Sequence, residues 1–530
     1  MHIRDICSKP CALATVGIIL SISGLICVIF WSDIFDSMMA KEMAIRPGSK
    51  SFETWRVPPI PMSLDVYFFN WTNSEDFMNK TIKPVLQELG PYRFTEKPEK
   101  VDIVWHPENA SISFRKKSIF FFDQEGSSGY LHDNITALNI IALSAAGRAI
   151  NWDYVRQKSV SIGLNMYEQP MAVTRTVDEL LFEGYSDDMI DVAREFPLFG
   201  ADVPVLFDKF GWFYTRNNSA ELTGYFNMYT GVDDINKLGQ MYSWNFNSTT
   251  NFFGGSCGKV QGSAGEFYPP RPQPSGSIML FTAELCRYIT LDYTETVTIH
   301  GLEGYKFSGT TKTVDNGTKY PENQCFCSGK CVPSGVIDVS ACRFGTPVYM
   351  SFPHYYNADP YYVNQVEGLT PNKDKHEFYM VLEPLTGVVL EASGRFQINM
   401  LVQPVKNIKL YEDAPYVFMP LLWFEQKVTI PEAMANELRM VVAIPTTGQI
   451  CASVIFIIGL VMLVILPIRR MYRQKYKVDT TEKVKAKLDN GVAVEKGPEI
   501  SPLLEKKNGF LGTVTFKSNG ANSDTNEKKN

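Results

Sequence analysis

Gly448-Gln449-Ile450-Cys451-Ala452-Ser453-Val454-Ile455-Phe456-Ile457-Ile458-Gly459-Leu460-Val461-Met462-Leu463-Val464-Ile465-Leu466-Pro467-Ile468 is an uncharged run in which Gln449, at the edge, is the only strongly polar side chain. A helix of this length rises to ~31 Å, the thickness of a bilayer's hydrocarbon core. Arg469, Arg470, Arg473, Lys475 and Lys477 follow at once, as cationic cytosolic flanks do. A second run of equal length, Cys11 to Trp31, holds nothing more polar than Thr15, Ser21 and Ser23, with Arg4 and Lys9 before it and Asp33 and Asp36 after it. A cleaved signal peptide competes for this first run. Its apolar core is long for one, and Ser37-Met38-Met39-Ala40 puts Met38 where a signal peptidase wants a small residue. The expected organisation is a cytosolic N-terminus (1–10), a span (11–31), an exterior domain (32–447), a second span (448–468) and a disordered cytosolic tail (469–530).

Composition alone permits a soluble protein, since mean hydropathy is only −0.11. Of 530 residues, 45% are apolar and 13% aromatic, which supports a packed core over most of the length. The tail 469–530 has 14 Lys+Arg and 8 Asp+Glu, and the first ten residues are net +1. With the whole chain at −6, the part between is therefore at −13. An acidic exterior argues against nucleic-acid binding.

Seven Asn-x-Ser/Thr sequons, at Asn70, Asn79, Asn109, Asn134, Asn217, Asn247 and Asn316, all fall between the two runs, as sites of an extracellular or luminal glycoprotein do. Cys257, Cys286, Cys325, Cys327, Cys331 and Cys342 lie in that same part, in one disulfide region (257–342). An even set in an oxidising compartment reads as three disulfides, with 15 possible connectivities. A bridge directly across Cys325-Phe326-Cys327 would be strained, so each is expected to pair elsewhere. A zinc site would want paired CxxC units and neighbouring histidines, which are missing.

Segments 62–69, 109–123, 294–307, 346–352 and 395–405 are rich in β-branched and aromatic residues; in the last, Phe396, Ile398, Met400 and Val402 alternate with polar residues. From Asn134 to Gln157 the apolar positions Ile135, Leu138, Ile141, Ala145 and Ile150 follow helical spacing. Thr176 to Phe182 reads as a short helix, capped by Thr176 with Glu179 three residues on and Gly184 beyond. A helical insert, ~134–195, is thus expected to interrupt a mostly β domain. Pro269, Pro270, Pro272 and Pro274 mark an exposed loop, and disorder is expected beyond Thr480.

Catalytic signals are poor. Gly254-Gly255-Ser256-Cys257-Gly258 fits the hydrolase G-x-S-x-G pattern but lacks the strand before it and the helix after it. His354 reads as structural. No cofactor or metal site is expected, and the chain is read as a non-enzyme.

Several stretches in order along the exterior resemble the class B scavenger receptor family: Gly90-Pro91-Tyr92, Arg175-Thr176-Val177-Asp178-Glu179-Leu180-Leu181 with Gly184-Tyr185, Cys325-Phe326-Cys327, Gly335-Val336-Ile337-Asp338, Gly345-Thr346-Pro347-Val348-Tyr349, Pro353-His354, Gly368-Leu369-Thr370-Pro371-Asn372 and Glu383-Pro384-Leu385-Thr386-Gly387. That family includes fatty-acid translocase, the high-density lipoprotein receptor and the lysosomal integral membrane protein, and this chain is most similar to its epithelial membrane protein branch. The resemblance implies an α+β fold: a large, mostly antiparallel β-barrel ectodomain with a helical apex and an apolar tunnel, flanked by two transmembrane helices. It also implies bridges Cys257–Cys325, Cys286–Cys342 and Cys327–Cys331, and lipid, lipoprotein or secreted protein ligands. Fatty-acid translocase carries apex lysines implicated in capturing anionic ligands; the matching positions here are Met166 and Glu168. Arg148, Arg156 and Lys158 could form a different patch, or be solvated faces of a helix.

The readings that remain are a receptor for lipid or lipoprotein, a receptor for protein cargo sorted through endosomes, and an adhesion or structural glycoprotein. Cys7 and Cys11, at the cytosolic face of the first span, are candidates for S-palmitoylation. Glu499-Ile500-Ser501-Pro502-Leu503-Leu504 has the form of an acidic dileucine signal: Leu503 and Leu504 would fill an apolar pocket on a clathrin adaptor while Glu499 meets a basic patch beside it. Such a signal implies plasma membrane and endosome or lysosome as locations.

Overall fold

The computed structural model describes residues 4–195, 207–327 and 331–489. In chain order its elements are α1 (Arg4–Met43), α2 (Lys50–Arg56), β1 (Met62–Trp71), β2 (Leu86–His106), β3 (Ser111–Asp123), β4 (Asn134–Leu138), α3 (Ile140–Arg148), α4 (Tyr154–Met166), β5 (Ala172–Thr176), α5 (Val177–Leu181), α6 (Asp188–Glu195), β6 (Phe226–Tyr229) and β7 (Met241–Trp244). There follow β8 (Ser277–Thr282), β9 (Arg287–Ile299), β10 (Leu302–Ser308), β11 (Ile337–Asp338), β12 (Val348–Ser351), α7 (Pro360–Val363), α8 (Lys373–His376), β13 (Tyr379–Leu382), β14 (Val389–Val402), β15 (Val417–Thr429) and α9 (Glu432–Asp489).

Thirteen strands form one antiparallel sheet in the order β7-β6-β3-β2-β1-β15-β14-β13-β10-β9-β8, with β12 on the same side of β14 as β13 and β11 beyond it. The sheet curls until its edges nearly meet. Residues 262–264 strap them together: Met241 N donates to Gly262 O, and Ser263 exchanges two bonds with β8 through Met279 O and Phe281 N. Gly262 permits that approach, because a Cβ there would stand 2.8 Å from the Met279 carbonyl carbon. Closure removes the edges that a flat sheet would expose. β14 and β15 supply much of the interior, in register from Glu391↔Thr429 to Val402↔Val417, and Met400, Val402 and Phe418 are fully buried.

Several expectations are adjusted. Residues 134–138 form β4 rather than the first turn of a helix. Ile135 and Ala137 are buried while Asn134 is exposed and Thr136 half-buried, and Asn139 begins α3 instead. Segment 294–307 is two strands, because His300 and Gly301 take φ 46° and 76° and turn β9 into β10. β2 was not legible: its 21 residues include Pro91, Pro98 and many charges. Pro98 is tolerated because β1 stops pairing at Glu96, so from there β2 has only β3 beside it. The proline-rich loop is tethered, with Arg271 donating twice to Asp36, at 2.7 and 2.8 Å. Gly255–Gly258 is a single 3-10 turn in which Cys257 is buried, with no strand-to-helix elbow for Ser256. Helix α9 runs to Asp489, past the Thr480 boundary drawn from polarity; its Lys, Glu and Ala residues there are good helix formers.

Two helices, Leu13–Met43 and Glu432–Lys483, are long and apolar enough to cross a membrane. Among the described residues, 4–25 and 453–489 fall in one compact unit and those from 26 to 452 in the other. Within the first, the helices meet through glycine: a Cβ on Gly24 would stand 2.6 Å from Phe456 N, and one on Gly459 2.5 Å from Ser21 N. Such close backbone approach is how apolar helices gain packing energy where water offers no hydrophobic drive.

Candidate functional site at the helical apex

The apex stands on the hairpin of β4 and β5, paired from Asn134↔Thr176 to Leu138↔Ala172. Asn139 Oδ1 accepts from Ala142 N at 3.0 Å and starts α3, while its Nδ2 donates to Gln169 Oε1 and Pro170 O. Asp153 Oδ1 caps α4 by accepting from Val155 N and Arg156 N. Thr176 and Glu179 close a reciprocal capping box on α5. Gly147 lets α3 lie against the barrel, since a Cβ there would stand 2.7 Å from Pro347 Cδ.

Helix α4 has two unlike faces. Inward, Val160 and Leu164 join the main core, and the buried Gln157 and Ser161 are both engaged. Gln157 Oε1 accepts from Asn407 Nδ2 at 2.7 Å and Ser161 Oγ accepts from Lys409 N at 3.0 Å, which locks the helix to the loop before β15. Outward, Tyr154, Val155, Ile162 and Met166 are 63%, 69%, 60% and 67% exposed. Tyr154, Ile162 and Met166 recur at multiples of four along one stripe. Scattered exposed apolar residues are ordinary, but a patch of them on a rigid helix marks an interaction surface.

Cations do not cluster there. Arg156 pairs with Asp153 at 3.2 Å on another face of the helix, and the one cation in the stripe, Lys158, lies over the Tyr154 ring at 6.0 Å. Arg148 belongs to α3, where burial lowers its pKa. Glu168 follows the end of α4 with φ 46°. The three basic residues therefore do not converge on an anion.

The CD36 family model matches residues 15–470. This chain belongs to the CD36 family. It is 46% identical to Protein peste of Drosophila melanogaster over 469 residues, covering 88% of this chain and 84% of that one. It is 31% identical to Scavenger receptor class B member 1 of Bos taurus, covering 88% and 90%, and 30% identical to Lysosome membrane protein 2 of Mus musculus, covering 77% and 83%. The CD36 family comprises receptors, and the chain is a two-pass membrane protein of the scavenger-receptor kind.

Inside the barrel sheet lies a polar cluster that sequence reasoning did not assemble. Thr370 N donates to His354 Nδ1 at 3.0 Å, so the proton sits on Nε2, which donates to Glu88 Oε2 at 2.5 Å. Trp423 Nε1 donates to the same oxygen at 2.7 Å. Burial alone would raise the Glu88 pKa, but these two bonds outweigh it and hold the carboxyl below its ordinary value. The His376 ring stacks on His354 at 4.3 Å, with Nδ1 accepting from Asn372 N. Desolvation, and then the neighbouring His354, push the His376 pKa down to about 3. The cluster ties β2, β15 and two loops together as a structural device; only the paired stretches Pro353-His354 and Asn372 hinted at it.

Two cavities stand out. One, of about 460 Å³, is a mainly polar cleft along Glu88, Tyr92, Ser128 and Asp133, and the other, of about 30 Å³, sits beside Arg287 and Asp315. Neither is the apolar tunnel that the resemblance implies.

Disulfides join Cys257 to Cys325, Cys286 to Cys342 and Cys327 to Cys331, with Cα separations of 5.7, 6.4 and 5.3 Å. Of the sequon residues, Asn79, Asn134, Asn217 and Asn247 are exposed, and Asn70, Asn109 and Asn316 are half-buried. Cys7 and Cys11 fall within α1. Glu499, Leu503 and Leu504 lie outside the described residues.

Proposed function

We propose that this chain is a class B scavenger-type receptor that captures a ligand with an apolar surface, a lipoprotein or a secreted protein, on the outer stripe of α4. The observation that carries this reading is the exposure of Tyr154, Val155, Ile162 and Met166 on a helix whose opposite face is locked by buried hydrogen bonds. A rigid apolar face needs little reordering to bind. The scattered cations leave no focused site for an anionic ligand. The test is binding of the purified ectodomain to phospholipid-coated lipid emulsion particles and to secreted proteins, beside an Ile162→Asp, Met166→Glu variant. Loss of capture with an unchanged unfolding curve supports the site; full capture by the variant refutes it.

In this reading residues 32–447 lie outside the cytosol with glycans at the seven sequons, and Cys7 and Cys11 are acylated on the cytosolic side. Glu499, Leu503 and Leu504 then engage a clathrin adaptor and carry the receptor, with bound lipid or protein, between plasma membrane and endolysosome. Its relatives Scavenger receptor class B member 1 and Lysosome membrane protein 2 support both halves of that itinerary. Leu503→Ala with Leu504→Ala should strand the receptor at the cell surface and slow its uptake. An unchanged distribution would remove the sorting half. The adhesion reading predicts instead that cells expressing the chain aggregate while soluble ligand is neither bound nor taken up.

A further inference from the structure

The most exposed large apolar residue between the two spans, among the described residues, is on the barrel wall and not at the apex. Phe246 is 74% exposed. It occupies the tip of a two-residue turn, Trp244-Asn245-Phe246-Asn247, closed by Trp244 N to Asn247 O at 2.9 Å and Asn247 N to Trp244 O at 3.1 Å. Asn245 and Phe246 both take positive φ, 49° and 65°. Hairpin turns of this kind favour Gly at the second position; a bulky aromatic there is strained. Strain and exposure together, in a well-held turn, suggest that the ring serves something.

The turn is well held. Asn245 Oδ1 accepts from Tyr225 N at 2.9 Å, and Asn245 N donates to Tyr225 O at 2.8 Å. Gly224, at φ 76°, makes room for it, because a Cβ there would stand 2.3 Å from that amide oxygen. The Phe246 ring lies 5.0 Å from the Tyr225 ring, and the Arg115 guanidinium lies 5.0 Å from the other partner's centroid, that of Tyr225. The result is a preorganised aromatic ledge on the outer surface. Its next residue, Asn247, is the acceptor of the Asn247-Ser248-Thr249 sequon, and is exposed.

We propose that this ledge is occupied by the chain's own glycan: the first N-acetylglucosamine on Asn247 lays its apolar face over the Phe246 ring. The sugar presents axial C–H groups to the electron-rich face of an aromatic, and its covalent attachment one residue away removes most of the association cost that a free ligand meets. The inference rests on the reading that Asn247 is glycosylated. It also bears on function, because an aromatic patch that resembles a ligand site is taken up by the receptor itself, leaving the apex stripe as the open apolar surface.

The experiment is a double-mutant comparison on the secreted ectodomain, with Asn247→Gln and Phe246→Gly alone and combined. Site occupancy comes from glycopeptide mass spectrometry, and local stability from hydrogen exchange of the peptide spanning 241–249. The expected result is an occupied Asn247 whose removal speeds exchange about fivefold when Phe246 is present and leaves it unchanged in the Phe246→Gly background, the size of one ring-stacking contact. Phe246→Gly relieves turn strain and adds no sequon, so neither folding nor glycan number is put at risk. If Asn247 is occupied and its loss has the same effect in both backgrounds, the stacking is refuted while glycosylation stands. If Asn247 is unoccupied, the glycosylation reading falls and the inference falls with it.

Discussion

Met400 and Met166 are the same residue in two opposite situations. Met400, near the end of β14, is fully buried and stands opposite Val348 on one neighbouring strand and Met419 on the other. Met166, at the end of α4, is 67% exposed. Both belong to elements fixed by hydrogen bonds and packing, so neither exposure nor burial is a matter of loose structure. The barrel wall spends its apolar residues on stability; the apex stripe leaves apolar area in water, where it gives no folding energy and is open to a partner.

The difference can be broken from the barrel side first. Cys286→Ser, which opens a loop spanning 56 residues, should cost about 4 kcal/mol. The variant should be retained early in the secretory pathway, as read by endoglycosidase sensitivity. Met400→Ala should cost about 3 kcal/mol through lost contacts and a residual cavity, visible as a lower unfolding midpoint of the purified ectodomain.

A smaller effect is pH-dependent and also confined to the barrel. His376 is held neutral in the folded state at about 3, against an ordinary value of 6.5. Below 6.5 the unfolded chain binds a proton that the folded one does not, so folding stability falls as pH drops through the window from 6.5 to 3. Glu88, depressed by His354 and Trp423, adds a loss at the acid end of that window. Between pH 6.5 and pH 5 the His376 contribution should be about 1–2 kcal/mol, and His376→Gln should flatten the slope. Denaturant titrations at both pH values decide this; an unchanged slope would show the ring to be protonated in place.

On the apex the effects on stability should be smallest. Met166→Ala should move folding stability by less than about 0.5 kcal/mol, as surface changes do. The same variant should weaken capture of emulsion particles or protein ligand in a binding assay. A stability loss like that of Met400 would mean that the stripe is part of the core and the comparison is false.

Much of this was legible in order along the chain. The spans follow from two uncharged runs with charged flanks, and α5 from Thr176, Glu179 and Gly184. β2 was not legible, because tolerance of Pro98 depends on which neighbour β1 reaches. β4 was read as helix, because its five residues, with Ile135 and Leu138 three apart, were absorbed into a longer apolar pattern. The apex stripe was hidden as well. Tyr154, Ile162 and Met166 have the spacing of a buried helix face, and spacing alone cannot say which side of α4 meets the barrel.

What the sequence by itself determined is what depends on local or compositional physics: which segments suit a bilayer, where glycans can attach, how many cysteines can pair, and where helices are capped. Family likeness added the barrel and its bridges. Only the tertiary structure decided which apolar residues lose their water. Burial is a property of what packs against a surface, and Gln157 and Ser161 binding the loop at 407–409 turn α4 so that one stripe is left facing out.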